Sequence, residues 1–269
     1  MKPKVCVLRT DGTNCDRETK YAFNEVGGDA EIVHLNSIIK GYDPAENRQV
    51  SLDQFDILAI PGGFSYGDYI GSGKIFVVDL KHFLEDKIND FIDKRKPVIG
   101  ICNGFQVLVK YGLLPRVNGE IKQTTTLTYN DSGRFECRWV KLVQPRESKC
   151  IWTKGISSID LPVAHGEGKF VAPPDLIQRL FDEDQVVFQY ANSSGIATTN
   201  YPDNPNGSIQ AIAGICDPTG LIFGLMPHPE RYNRPMNHRL ATLQKIKGTL
   251  PDHGLGLDIF RNGVDYCRG

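Results

Sequence analysis

Up to Pro115 the chain alternates short apolar runs with amphipathic stretches. Val5–Leu8 reads as a buried strand. A helical pattern follows from about Asn14 to Val26 and stops at Gly27-Gly28, with Thr13 and Asp16 at capping-box spacing near its start. Ala30–Leu35 is the second strand, and Ile57–Ile60 is the third, ending at Pro61-Gly62-Gly63. Another helical pattern runs from about Leu80 to Ile92, and the Val98–Ile101 strand comes next. Apolar runs without polar alternation, separated by helices, predict an α/β fold with a parallel sheet covered on both faces. Ligands of such sheets sit at the carboxyl ends of the strands. Gly62-Gly63 and Cys102 both lie at such ends, on successive predicted strands.

After Pro115 the pattern changes. Thr124–Tyr129 and Phe135–Val143 read as two strands of a hairpin turned by Asn130-Asp131-Ser132-Gly133. Further strands are expected at Leu161–Ala164, Val186–Tyr190, Ile209–Ile215 and Leu221–Met226, the last two joined by Asp217-Pro218-Thr219-Gly220. Two helices, near His238–Lys247 and Leu257–Cys267, are expected to dock and close the chain. With no repeat or low-complexity linker, residues 1–269 read as one domain with a helical extension from about residue 232.

Composition narrows the function classes. The chain has 269 residues, 40% of them hydrophobic, so it can bury a sizeable core. A formal net charge of −1 with well-mixed signs gives no bulk attraction to nucleic acid or to an anionic membrane. The apolar runs are far shorter than a membrane span, and Met1-Lys2-Pro3-Lys4 leads straight into a strand with no signal-peptide pattern. Seven cysteines at irregular spacing, with no CxxC or CxxH pair, suit a reducing cytoplasm. They do not suggest a disulfide framework or a structural zinc site.

The candidate chemistry centres on Gly100-Ile101-Cys102-Asn103-Gly104-Phe105-Gln106. A strand leads into it and an apolar-periodic segment, Val107 to Leu114, follows. Glycines two residues either side of a cysteine are what a nucleophile elbow needs, because the turn is too crowded for side chains there. Backbone N–H groups and the helix dipole at that place favour a thiolate. Cysteine is elsewhere often a small buried hydrophobe. Cys6, Cys137, Cys150, Cys216 and Cys267 lack the glycine frame and read as structural, as does Cys15 beside Asn14. A cysteine nucleophile needs a base and an orienter. Pro227-His228-Pro229-Glu230-Arg231 follows the Leu221–Met226 strand, again at a carboxyl end. In extended backbone His228 and Glu230 share a face, so the carboxylate can fix the imidazole tautomer.

With these residues the chain resembles the class I glutamine amidotransferases, and most closely the glutaminase subunits of phosphoribosylformylglycinamidine synthases. The resemblance rests on Asp11-Gly12-Thr13-Asn14-Cys15-Asp16, the run from Pro61 to Tyr69 containing Gly-Phe-Ser-Tyr-Gly-Asp, Gly100 to Gln106, His165-Gly166-Glu167-Gly168, and Pro227 to Arg231. It spans most of residues 4–232. It implies a flavodoxin-like three-layer fold around a mostly parallel sheet, and a Cys102–His228–Glu230 triad. It further implies glutamine as substrate, with the oxyanion held by the Gly63 and Asn103 N–H groups and Gln106 in reach of the substrate. The implied partner is an ATP-dependent synthetase, which carries the ATP and Mg²⁺; a third small subunit is left open, and neither metal nor cofactor is expected on this chain. Ile70-Gly71-Ser72-Gly73-Lys74 departs from the Leu-Arg and Ala-Gly-Ala usual in the family, which removes an arginine that Lys74 does not reproduce as a bidentate group.

Other motifs are weaker. Gly71-Ser72-Gly73-Lys74 fails as a phosphate loop, because Asp68 holds the first glycine's place and Ile75 follows the lysine. His165 and Glu167 are too few for a metal site; the resemblance places their loop in the site region or at the partner interface. A non-catalytic regulatory subunit and a peptide or γ-glutamyl hydrolase are the competing readings. The triad residues argue against the first and the Gly-Phe-Ser-Tyr-Gly-Asp run against the second.

Overall fold

A computed structural model describes residues 1–269. In chain order the strands are β1 (Lys4–Arg9), β2 (Asp29–His34), β3 (Tyr42–Asp43), β4 (Arg48–Gln49), β5 (Ile57–Ile60), β6 (Val98–Ile101), β7 (Thr126–Thr128), β8 (Glu136–Val143), β9 (Ser158–His165), β10 (Lys169–Val171), β11 (Val186–Ala191), β12 (Ile212–Cys216) and β13 (Ile222–Leu225). The helices are α1 (Asp16–Glu25), α2 (Leu35–Lys40), α3 (Lys74–Asp93), α4 (Asn103–Tyr111), α5 (Pro174–Asp182), α6 (Ala241–Lys247) and α7 (Leu257–Arg268).

Nine strands form one sheet in the order β2-β1-β5-β6-β13-β12-β11-β8-β9. The β2-β1-β5-β6-β13 half is parallel throughout. Its strands are the continuous apolar runs, and β1, β5, β6 and β13 have almost no exposed residue. Helices α1 and α7 pack together on one face, where Phe23 meets Phe260 and Trp152 edge-on. Helices α3 and α4 pack together on the other. The β12-β11-β8-β9 half is antiparallel, and β9 alternates buried and part-exposed residues as a one-sided strand does.

Several expectations need correction. Asn130–Gly133 does not turn a β7–β8 hairpin: β7 pairs with β10, and β8 pairs with β9 over its whole length. The Asn130 side chain is spent on the carbonyls of Arg134 and His165, which anchors the turn under the loop after β9. Thr13 makes no capping box either. Its hydroxyl accepts from the Thr10 N–H, and α1 begins at Asp16 after Cys15, with no side-chain cap. Helix α3 starts at Lys74, six residues before the apolar period becomes visible, because Gly73 at φ +72° turns the chain into it. Residues 209–211 form a 3₁₀ turn before β12, and α2 and α5 were not anticipated. Of the two closing helices only α7 docks, with Ile259, Phe260 and Val264 fully buried. Helix α6 buries Ala241 alone.

Candidate active site

The elbow follows from close backbone packing. Cys102 has φ +51° and ψ −104°, a region a non-glycine residue occupies only when its surroundings hold it there. A Cβ on Gly104 would overlap the Ile60 carbonyl of neighbouring β5, and one on Gly100 would strike Gly104 and Leu108. These two glycines therefore let α4 lie directly against the strands. Cys102 is left at the α4 N-terminus, its thiol directed at the Ala164 carbonyl of β9 at 3.7 Å.

His228 arrives by a different route. It leaves β13, which pairs with β6, so its segment emerges beside the elbow. Its N–H donates to the Pro162 carbonyl of β9 at 2.8 Å. Its Nδ1 bonds Glu230 Oε1 at 2.6 Å, with both side chains buried. That bond leaves Nε2 free to serve Cys102, and Nε2 and Glu230 Oε2 are buried with no hydrogen-bond partner. Burial alone pushes the His228 pKa down; the Glu230 carboxylate and the neighbouring Cys102 sulfur overrule it and hold the imidazole well above its ordinary value. Gly62, at the end of β5, completes the packing: a Cβ there would come within 2.8 Å of His228 Cε1 and 3.4 Å of Cys102 Cβ. The three groups singled out in the sequence are thus brought together from the ends of adjacent strands.

Around them lies a cavity of about 360 Å³. Phe64 and Phe135, both about half exposed, stack at its rim with ring centroids 6.3 Å apart. Gly63 lines the cavity at φ +144°, and its N–H donates to no other backbone group. Asn103 is the first residue of α4, where an N–H has no helical acceptor. Gln106 also lines the cavity, but both ends of its amide are engaged. Its nitrogen donates to the Glu167 carbonyl at 2.5 Å and its oxygen accepts from Asn103 Nδ2 at 3.0 Å. Its visible work is to tie the elbow helix to the loop after β9.

That loop rests on a buried polar network that the sequence did not reveal. His165 Nδ1–H donates to Asn130 Oδ1 at 3.1 Å, and Nε2 accepts from Asn206 at 3.5 Å. Asn130 Oδ1 also accepts from the Gly168 N–H. Burial, reinforced by the charge of His228, lowers the His165 pKa to about 3, so this imidazole is neutral. Glu167 lines the cavity, as does Asp68, whose pKa is raised by burial and by the nearby Glu167. Lys74 is exposed at the start of α3 and makes no ion pair.

Two further residues were missed as site residues. Cys15 precedes α1, and its sulfur lies 3.9 Å from His228 Nδ1 and accepts from Arg231 at 3.2 Å. Burial raises the Cys15 pKa, which suits a neutral packing thiol. Cys15, His228 and Glu230 offer ligand atoms within 4.8 Å of one another, but Glu230 already holds His228 Nδ1 and the Arg231 guanidinium sits against the sulfur, so the set does not fit a cation. All seven cysteines are unpaired, and no helix is long and apolar enough to cross a membrane.

The model of the CobB/CobQ-like glutamine amidotransferase domain matches residues 2–267. The chain is 45% identical to the phosphoribosylformylglycinamidine synthase subunit PurQ of Dehalococcoides mccartyi, over 99% of this chain and 98% of the relative. It is 42% identical to the PurQ subunit of Methanococcus maripaludis, over 98% and 97%. Among solved structures, a chain of PurLQS from Thermotoga maritima superposes with a TM-score of 0.70 at 29% identity, covering 99% of each chain. A strained cysteine elbow, an adjacent His–Glu pair and full-length likeness to these subunits lead to one conclusion: this chain belongs to the glutamine amidotransferase family, among the PurQ subunits of phosphoribosylformylglycinamidine synthase.

Proposed function

We propose that this chain is the glutaminase of a phosphoribosylformylglycinamidine synthase, hydrolysing glutamine to glutamate and ammonia. The observation that carries the reading is the meeting, in one cavity, of Cys102 with His228, which Glu230 holds from behind. Cys102 sulfur attacks the side-chain amide carbon of glutamine, and the N–H groups of Gly63 and Asn103 receive the developing oxyanion. The proton that His228 holds passes to the departing nitrogen as the C–N bond breaks, leaving ammonia and a glutamyl thioester. His228 then takes a proton from water, which attacks the thioester carbon. Glutamate leaves and the Cys102 sulfur is restored. Glu230 keeps Nδ1 protonated and the ring in its working orientation. Gln106 supports the substrate wall through Glu167.

The relatives' names supply the destination of the ammonia. An ATP-dependent synthetase subunit uses it to convert formylglycinamide ribonucleotide to the amidine, in purine biosynthesis. ATP and Mg²⁺ belong to that subunit, and this chain carries no cofactor of its own. Unpaired cysteines support work in the reducing cytoplasm. The test is synthesis by the reconstituted complex with glutamine or with ammonium. Cys102→Ala is expected to abolish glutamine-dependent synthesis and leave ammonium-dependent synthesis intact. Retained glutamine-dependent synthesis by this variant would overturn the mechanism.

A further inference from the structure

Cys15 is a buried thiol on the wall of the site cavity that the glutaminase steps do not use. Burial keeps it neutral, so a second nucleophile is not its role. Its sulfur is nevertheless held from three sides. The S–H donates to Asn14 Oδ1 at 3.2 Å, the Arg231 guanidinium donates to the sulfur at 3.2 Å, and His228 Nδ1 lies 3.9 Å away. A thiol that only filled space would need neither polar partner.

The backbone of Cys15 is held as firmly as its sulfur. Its N–H donates to the Gly62 carbonyl at 3.2 Å. Its carbonyl accepts from the N–H and the hydroxyl of Thr19 in α1, at 3.1 and 2.7 Å. Gly62 leads into Gly63, and Thr13 bridges Gly63 as an antiparallel partner. A Cβ on Gly62 would come within 3.3 Å of the Cys15 sulfur and 2.8 Å of His228 Cε1, so sulfur, strand end and imidazole pack directly together. Cys15 therefore joins the segment that presents the Gly63 N–H to the ring of the base. That ring has one hydrogen bond, from Nδ1 to Glu230, and none at Nε2. A single bond fixes one point of an imidazole and not its plane; a contact from a second direction fixes the plane.

We infer that Cys15 is a positioning residue for the glutaminase reaction: its sulfur, held by Arg231 and Asn14, sets the plane of the His228 imidazole against the Gly62-Gly63 strand end. Nε2 is thereby kept aimed at the Cys102 sulfur and the departing nitrogen while Gly63 receives the oxyanion. The inference rests on the proposed function, whose base it positions. Cys15 forms no bond to substrate in this role. The charged and titratable groups around the ring are Glu230 and Arg231 on its own segment, Cys102 at the start of α4, Cys15 ahead of α1 and His165 at the end of β9.

The experiment uses the full chain in complex with its synthetase subunit and reads glutamine-dependent synthesis, ammonium-dependent synthesis and the His228 titration by imidazole NMR. Cys15→Ala is expected to lower kcat with glutamine about ten-fold, the cost of a tilted base. KM for glutamine should stay within about two-fold, because the substrate wall is untouched. The His228 pKa, which the Cys15 contact helps to raise, should drop. Ammonium-dependent synthesis bypasses the glutaminase and should be unchanged. Cys15→Ser keeps a group that Arg231 and Asn14 can hold but stands back from the ring, so its kcat should fall only about three-fold. If Cys15→Ala does not fold, Cys15→Ser decides, since wild-type kcat and titration in that variant overturn the inference. A lower melting temperature in Cys15→Ala with unchanged kcat and His228 titration also overturns it, as the mark of packing alone. So does a raised KM at unchanged kcat, the mark of direct substrate contact. Absence of glutamine-dependent synthesis with the wild-type chain would overturn the proposed function itself; a normal wild type beside unaffected variants overturns only the role of Cys15.

Discussion

The two halves of the sheet contribute differently to the site. The parallel half supplies the reacting groups: Cys102 after β6, Gly63 after β5 and His228 with Glu230 after β13. The antiparallel half supplies the wall: the Ala164 carbonyl, neutral His165 and the Glu167 loop. Each reacting group stands at the end of a buried strand and is fixed by backbone packing against glycine. The wall is fixed instead by side-chain hydrogen bonds between residues far apart in sequence. Changes in the first half should therefore strike chemistry or folding, and changes in the second should strike substrate binding.

The largest effect expected in the first half, short of removing Cys102, comes from Glu230→Gln. It removes the carboxylate that raises the His228 pKa, and glutamine hydrolysis should fall about 100-fold or more. Imidazole NMR would show the His228 pKa dropping. The sign for stability is definite. A raised folded pKa stabilises the chain fully below the unfolded value of about 6.5, and the contribution is lost as pH climbs through the folded value. The variant should lose that dependence. An unchanged His228 titration would break the assignment of Glu230 as its partner.

Gly104→Ala comes next. Its methyl group would overlap the Ile60 carbonyl, so either α4 leaves the strand or the chain unfolds more easily, by about 3 kcal/mol or more. Thermal melting measures this. A normal melt with normal activity would show that the elbow tolerates the side chain.

The smallest effect belongs to the wall. His165→Ala frees the Asn130 and Asn206 amides and loosens the loop that holds Gln106. The Michaelis constant for glutamine should rise about ten-fold while turnover changes little, in line with a loss of about 1–3 kcal/mol of buried hydrogen bonding. Because the His165 pKa is lowered to about 3, its neutral form stabilises the fold above about pH 6.5, and this is lost as pH falls from there towards 3. Denaturant titrations at pH 7 and pH 5 should show wild type losing more stability on acidification than the variant. A fall in turnover with an unchanged Michaelis constant would contradict the division between the two halves.

How far the sequence could be read follows the same division. The sequence delimits β5 and β6 to the residue, as Ile57–Ile60 and Val98–Ile101, because short apolar runs that stop at Pro61-Gly62 and at the Cys102 elbow leave one solution. The elbow was visible because its constraint is local: Gly100 and Gly104 are close in sequence to the cysteine they accommodate. The hairpin expected at Asn130–Gly133 failed, because a turn-like tetrapeptide does not say which strand the next one will pair with. Thr13 has the spacing of a cap, yet its hydroxyl is taken by Thr10. Nothing in the spacing of Asn130, His165 and Asn206 suggests that they meet, and Cys15 looked like an ordinary structural cysteine until Arg231 and His228 were found beside it.

The sequence alone determined the parallel strands, the cysteine elbow and the His228–Glu230 pair, because each depends on residues within a few positions of one another. Only the tertiary structure decided which strands neighbour β6 and β8, where Gln106 spends its amide, why His165 is neutral, and that α6 stands uncovered. Those depend on contacts between distant segments, formed when buried polar groups must find partners and apolar faces must find cover. Local pattern creates these requirements but does not say which partner meets them.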